Sequence, residues 1–66
     1  MKNTLRVERA IKNITQSELA EKIGVSRQTI NTIESGKYVP STVLALKMAK
    51  VFEVPVEQIF ELEETD

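Results

Sequence analysis

Between Gly24 and Gly36 the chain reads GVSRQTINTIESG, and its side chains divide by chemistry. At about 100° per residue of helix, Arg27, Gln28, Asn31 and Thr32 gather on one side, while Thr29, Ile30 and Ile33 gather on the other. The first group carries guanidinium, carboxamide and hydroxyl groups, a set rich in directional donors and acceptors. A helix face that only meets solvent is usually filled with Glu and Lys, so this composition points to recognition of a patterned polar surface. Catalysis is a poor match. The chain has no His and no Cys, which removes imidazole bases, thiolate nucleophiles, disulfides and the commonest zinc ligands. Nor does any glycine-rich phosphate loop or metal-ligand cluster assemble the remaining Ser, Thr, Lys and carboxylates. No enzyme activity, metal or cofactor is expected.

The elements that must hold this face are marked by their ends. Thr15-Gln16-Ser17-Glu18 is a capping box, in which the Thr15 hydroxyl and the Glu18 carboxylate each accept from the other residue's amide. A helix therefore starts at Gln16, buries Leu19, Ala20 and Ile23, and stops at Gly24, which takes a left-handed backbone at little steric cost. Ser26 caps the next helix, which runs to about Ser35 and is closed by Gly36. Ser41 caps a fourth, from Thr42 to Phe52. That helix is apolar nearly all round, which predicts a place in the middle of the domain. Val54-Pro55 breaks it, VEQIF makes one or two further turns, and the alternation in FELEETD suits a short half-buried strand. In the first helix Val7, Ala10, Ile11 and Ile14 share a face, with Leu5 and Arg9 nearly opposite. Cover is expected on both sides, from the domain body and from the tail through Phe60 and Leu62.

With 66 residues the chain predicts a single domain over 1–66. One this short buries only about 60% of the surface its unfolded form exposes, so a deep active site is not expected. All nine basic residues lie in residues 1–50 beside four acids, a net +5, whereas residues 51–66 hold six acids and no base; the total is −1. That asymmetry predicts a basic surface and a separate acidic tail. No apolar run approaches the ~20 residues of a membrane span, and MKNTLRVERAIKNIT lacks the apolar block of a signal peptide. A cytoplasmic location, with no membrane partner, is the expectation.

Two helices joined by a turn of about three residues containing Gly form a helix-turn-helix unit, whose second helix enters the DNA major groove. Ala20 allows a close crossing, Gly24 allows the turn, and Leu19, Ile23, Val25, Ile30 and Ile33 fill the wedge. TQSELAEKIGVSRQTINTIE, within a likeness that runs from about Leu5 to Phe60, resembles the lambda-repressor and Cro-like helix-turn-helix family, especially its short stand-alone members. The resemblance implies an all-α, five-helix DNA-binding domain, with helix-turn-helix residues at about 16–35, that binds operators as a homodimer. It implies that Gln16 anchors a phosphate and that Arg27, Gln28, Asn31 and Thr32 read bases, Arg by a bidentate pair with guanine and Gln or Asn with adenine. Ser26 and Thr29 fall at the rim, where they hold phosphate or pack. Lys37 and Tyr38 match a loop that lies along the backbone, with core packing an equal reading for Tyr38. Arg9 and Glu34 match a structural salt bridge between the first and third helices. Glu8 and Ser41-Thr42-Val43 depart from the family pattern in the first and fourth helices, away from the reading helix.

One reading helix touches only a few base pairs, so specificity calls for two, about 34 Å apart along the duplex. Val54, Val56, Ile59 and Phe60 are the apolar residues available for an isologous dimer contact, and residues 53–66 are assigned to that contact and the acidic tail. The leading expectation is a sequence-specific transcriptional regulator, a repressor on a short inverted repeat of double-stranded DNA. The competing class is a protein-interaction module, an antitoxin or co-regulator with weak DNA binding and an additional protein partner. RNA binding is disfavoured, because one Tyr and two Phe make no stacking platform.

Overall fold

The computed structural model describes residues 1–66. In chain order it has β1 (Lys2–Asn3), α1 (Leu5–Lys12), α2 (Gln16–Ile23), α3 (Arg27–Glu34), α4 (Thr42–Phe52), α5 (Val56–Ile59) and β2 (Phe60–Glu61). The capping box closes as its residue types require: the Thr15 hydroxyl accepts from the Glu18 amide at 3.0 Å, and the Glu18 carboxylate accepts from the Thr15 amide at 2.9 Å. Ser26 and Ser41 cap α3 and α4 in the same way, accepting from Thr29 and Leu44. Gly24 ends α2 with φ of 76°, a left-handed conformation that any residue with a Cβ resists. Glu53 holds the equivalent position after α4 with φ of 57°.

The core is a single cluster of Leu5, Leu19, Ala20, Ile23, Ile30, Ile33, Met48, Phe52 and Ile59. It draws on α1 to α5 and holds α2 and α3 in their crossing, so the position of α3 depends on residues from across the chain. Two packing expectations are overturned. The first concerns α1, where Val7 and Ile11 are 56% and 69% exposed while Leu5 and Glu8 are buried. Leu5 and Arg9 lie one turn apart, and the pairing of Arg9 with Glu34 turns that side inward, which rotates Val7 and Ile11 out. The second concerns α4, which is not apolar-covered all round. Met48 and Phe52 face the core, but Val43 and Leu46 are more than half exposed.

The tail forms the short strand that the alternation in FELEETD suits, but not the expected cover over α1. It does not cover the Val7 and Ile11 face, and Leu62 is 76% exposed. Instead β2 pairs antiparallel with β1, Lys2 opposite Glu61 and Asn3 opposite Phe60. Thr4 reinforces the junction, its amide donating to the Ile59 carbonyl at 2.9 Å and its hydroxyl to the Gln58 carbonyl at 3.0 Å. The Met1 ammonium adds contacts to Glu63 and Asp66. Asn3 then reaches across to α3: its amide nitrogen donates to the Ile33 carbonyl at 2.8 Å, and its oxygen accepts from the Leu5 amide. The terminal strand pair thus braces the C-terminal end of α3. No helix is long and apolar enough to cross a membrane.

Candidate nucleic-acid interface

Arg27, Gln28 and Asn31 are exposed on α3, and with Gln16 they line a notch of about 310 Å³ that has no hydrophobic residue in its wall. Apolar contacts hold the opposite side of the helix, since Ile30 and Ile33 are 0% and 1% exposed. The polar side chains therefore project from a helix whose own position is fixed by packing. Thr32 is less free than its residue type suggests, because its hydroxyl donates back to the Gln28 and Thr29 carbonyls at 3.1 and 2.9 Å. Ser26 is engaged as the cap and is 3.0 Å from the Thr29 hydroxyl. These three hydroxyl residues stiffen the start and outer edge of α3. Lys37 and Tyr38 stand in the loop after α3, and Tyr38 is 49% exposed, a surface position rather than a core one.

A polar network runs behind the notch. Glu34, whose side chain is only 2% exposed, pairs with Arg9, whose side chain is 15% exposed. Both carboxylate oxygens are engaged, one by Arg9 Nε and the other by Arg9 Nη2 at 3.1 Å. Arg9 Nη1 donates to the Ile14 carbonyl at 3.1 Å, which ties the turn before α2 to the same pair. Gln16 joins with its amide nitrogen, donating to Glu34 Oε1 at 3.1 Å and more weakly to Asn31 Oδ1 at 3.4 Å. Burial alone pushes the Glu34 carboxyl up, but the hydrogen bonds from Arg9 and Gln16 outweigh it and hold the group below the usual carboxylate range. The Arg9 guanidinium is shifted up by its hydrogen bonds with Glu34.

A wider cleft of about 590 Å³ adjoins the notch, lined by Arg6, Arg9, Arg27, Gln16 and Ser17 among others. Arg6 was not singled out from the sequence. Its side chain is 81% exposed, with Nε 3.9 Å from Glu34, so its charge is only loosely committed. The Gln16 and Ser17 amides, in the first turn of α2, donate to no backbone carbonyl. Guanidiniums beside free amides at a helix start form an anion-attracting surface. The signal in the sequence was the spacing of Arg6 and Arg9, one turn apart on α1. No group of three or more His, Cys, Asp or Glu is placed to hold a metal ion.

The four residues expected at a dimer contact separate. Ile59 is 1% exposed and belongs to the domain core. Its carbonyl also takes the Thr4 amide, so it is not available to a partner, which corrects the expectation. Val54 is half-buried against the core. Val56 and Phe60 line an apolar groove of about 290 Å³ together with Met1, Pro40, Ala45 and Leu46. Leu46 lies on the exposed side of α4 and was missing from the expected set.

A family profile described as helix-turn-helix matches residues 5–59. An uncharacterised HTH-type transcriptional regulator of Methanocaldococcus jannaschii is 56% identical over 66 residues, spanning 100% of both chains. Another from Bacillus subtilis is 48% identical over 64 residues, 97% of each chain. Among solved structures, the solution structure of the SOS-response transcriptional repressor LexA from Eubacterium rectale superposes with a TM-score of 0.79 at 31% identity. The match covers 94% of this chain and 66% of that one.

Proposed function

Because the chain belongs to the helix-turn-helix family and is a DNA-binding transcriptional regulator rather than an enzyme, we propose that it is a repressor. It binds a short inverted-repeat operator as a homodimer, with α3 in the major groove. The observation that carries this reading is the Gln16, Arg27, Gln28 and Asn31 notch: four exposed or half-exposed hydrogen-bonding chains on a helix rigidly packed from behind. Arg27, Gln28 and Asn31 contact base edges, and Thr32 lies at the edge of that set. Gln16, the Ser17 amide, Arg6, Lys37 and Tyr38 hold phosphates, which adds affinity and salt dependence without sequence information. Ser26 and Thr29 set the start of α3, and Arg9 with Glu34 sets its angle to α1.

The dimer forms through the Leu46, Val56 and Phe60 groove. Each copy measures 31 × 22 × 20 Å, small enough for two of them to sit on half-sites one ~34 Å turn of B-DNA apart. Repression follows from occupancy of the operator. The acidic tail, on the side of α5 and β2, lies away from the phosphates. The test is selection of random duplexes by the purified protein at near-physiological salt. The expected product is a two-fold symmetric motif with half-sites about 10 bp apart. Sequence-blind binding erased by salt would reject this reading and favour a protein partner.

A further inference from the structure

The polar network behind α3 settles which way its side-chain amides face. Ionised Glu34 offers only acceptors, and Arg9 occupies it on one side. Gln16, 3.1 Å away, must therefore turn its NH2 group toward the carboxylate, since its carbonyl oxygen there would meet a negative charge. An NH2 group has two hydrogens. The second points to Asn31, which must answer with an acceptor, and Asn31 Oδ1 is the atom found 3.4 Å away. The Asn31 Nδ2 group is then the one not engaged by Gln16, and Arg27, which also only donates, lines the same notch.

We propose that the Arg9 and Glu34 pair, acting through Gln16, fixes the amide polarity of Asn31, so that Asn31 reads a keto base, guanine or thymine, and rejects an amino base. The inference rests on α3 being the DNA-reading helix. In the major groove guanine presents O6 and N7 and thymine presents O4, all acceptors, whereas adenine places a donor beside N7 and cytosine presents only a donor. An Asn free to rotate would pair bidentately with adenine, the expectation drawn from residue type. An Asn with its oxygen held inward has no acceptor to offer the adenine amino group. Gln16 is thus a positioning residue for base choice as well as a phosphate contact.

Three proteins put through the same duplex selection test this: the unmodified chain, Asn31→Ala, and Gln16→Met, which keeps the length of the side chain and removes its NH2. Asn31→Ala identifies the motif position that Asn31 reads by flattening it. At that position the unmodified protein is expected to enrich guanine or thymine. Gln16→Met is expected to lower the keto-over-amino ratio there by roughly tenfold, the scale of one base-specific contact, while the other positions keep their preferences. A uniform fall in affinity alone is what loss of a phosphate contact produces, and it would overturn the proposal if the base ratio stayed unchanged. Adenine at the Asn31 position in the unmodified protein would also overturn it. Gln16→Ala, at an exposed helix start, repeats the test should the Met variant fold poorly. If the unmodified protein enriches no motif, the DNA-reading premise itself fails, an outcome separate from an unchanged ratio within a clear motif.

Discussion

Arg9→Met strands a carboxylate inside the domain. The Glu34 side chain is 2% exposed and receives two hydrogen bonds from Arg9, one from Gln16 at 3.1 Å, and a distant contact from Arg6 at 3.9 Å. The variant keeps only the last two. Removing one partner of a buried pair typically costs about 3–5 kcal/mol, because the remaining charge is uncompensated. Arg6 can swing partway in, so a loss of about 3 kcal/mol at pH 7 is expected. A chain of 66 residues has roughly 3–10 kcal/mol in total at about 0.05–0.15 kcal/mol per residue, so the variant sits near its unfolding threshold. The pH dependence separates this cause from simple loss of packing. In the unmodified protein Glu34 titrates below its ordinary range. Its stabilising contribution is therefore complete above the unfolded pKa, about 4.3, and is lost as pH falls through the lower folded value. Without Arg9 the desolvation of the buried carboxyl is largely unopposed and its pKa moves up, so the variant regains stability relative to the unmodified protein on acidification from pH 7 toward ~4. Urea unfolding followed by circular dichroism measures both. Arg9→Met with Glu34→Leu should recover most of the loss. A cost under about 1 kcal/mol, or a gap that does not change with pH, would refute the reasoning.

Three further outcomes are expected. Gly24→Ala should cost about 1–2 kcal/mol, from its left-handed backbone alone, since nothing lies within 4 Å of the added Cβ; thermal unfolding measures it, and a much larger loss would mean a steric clash. Arg6→Ala should weaken duplex binding equally for all sequences and reduce the slope of log affinity against log salt by about one, a result readable by fluorescence anisotropy at several salt concentrations. Leu46→Asp, at an exposed position beside the groove, should leave the monomer folded and shift analytical ultracentrifugation toward the single chain. An unchanged dimer would move the contact elsewhere.

The helix boundaries were legible because their causes are local. Thr15 and Glu18 are three residues apart, Ser41 needs only its own helix, and the span Thr42–Phe52 could be read from the cap at one end and Val54-Pro55 beyond the other. The rotation of α1 was not legible from the hydrophobic pattern, in which Val7 and Ile11 make the more apolar face; it follows from the pairing of Arg9 with Glu34, 25 positions apart, which only the family resemblance indicates. Ile59 was misplaced for a related reason. Its burial comes from the short α5 turn packing into the core with residues as distant as Leu5, which VEQIF alone does not show. In the candidate site, residue types identified α3 but not the order of donors and acceptors behind it. Gln16 facing Glu34 is a long-range fact, 18 residues apart, and so is the arrival of Arg6 beside the start of α2.

The brace from Asn3 to the Ile33 carbonyl has a consequence for synthesis on the ribosome. The α2 and α3 unit is built from neighbouring residues and can pair as soon as it emerges, since local contacts form early. The strand that steadies α3 is itself anchored by Ile59, Phe60 and Glu61, which are made near the end of the described chain. A product cut short before residue 59 would carry Arg27, Gln28 and Asn31 but leave the far end of their helix unfastened. Under the proposed function such fragments would hold duplex DNA less firmly, because the end of α3 that Asn3 fastens would be free to fray.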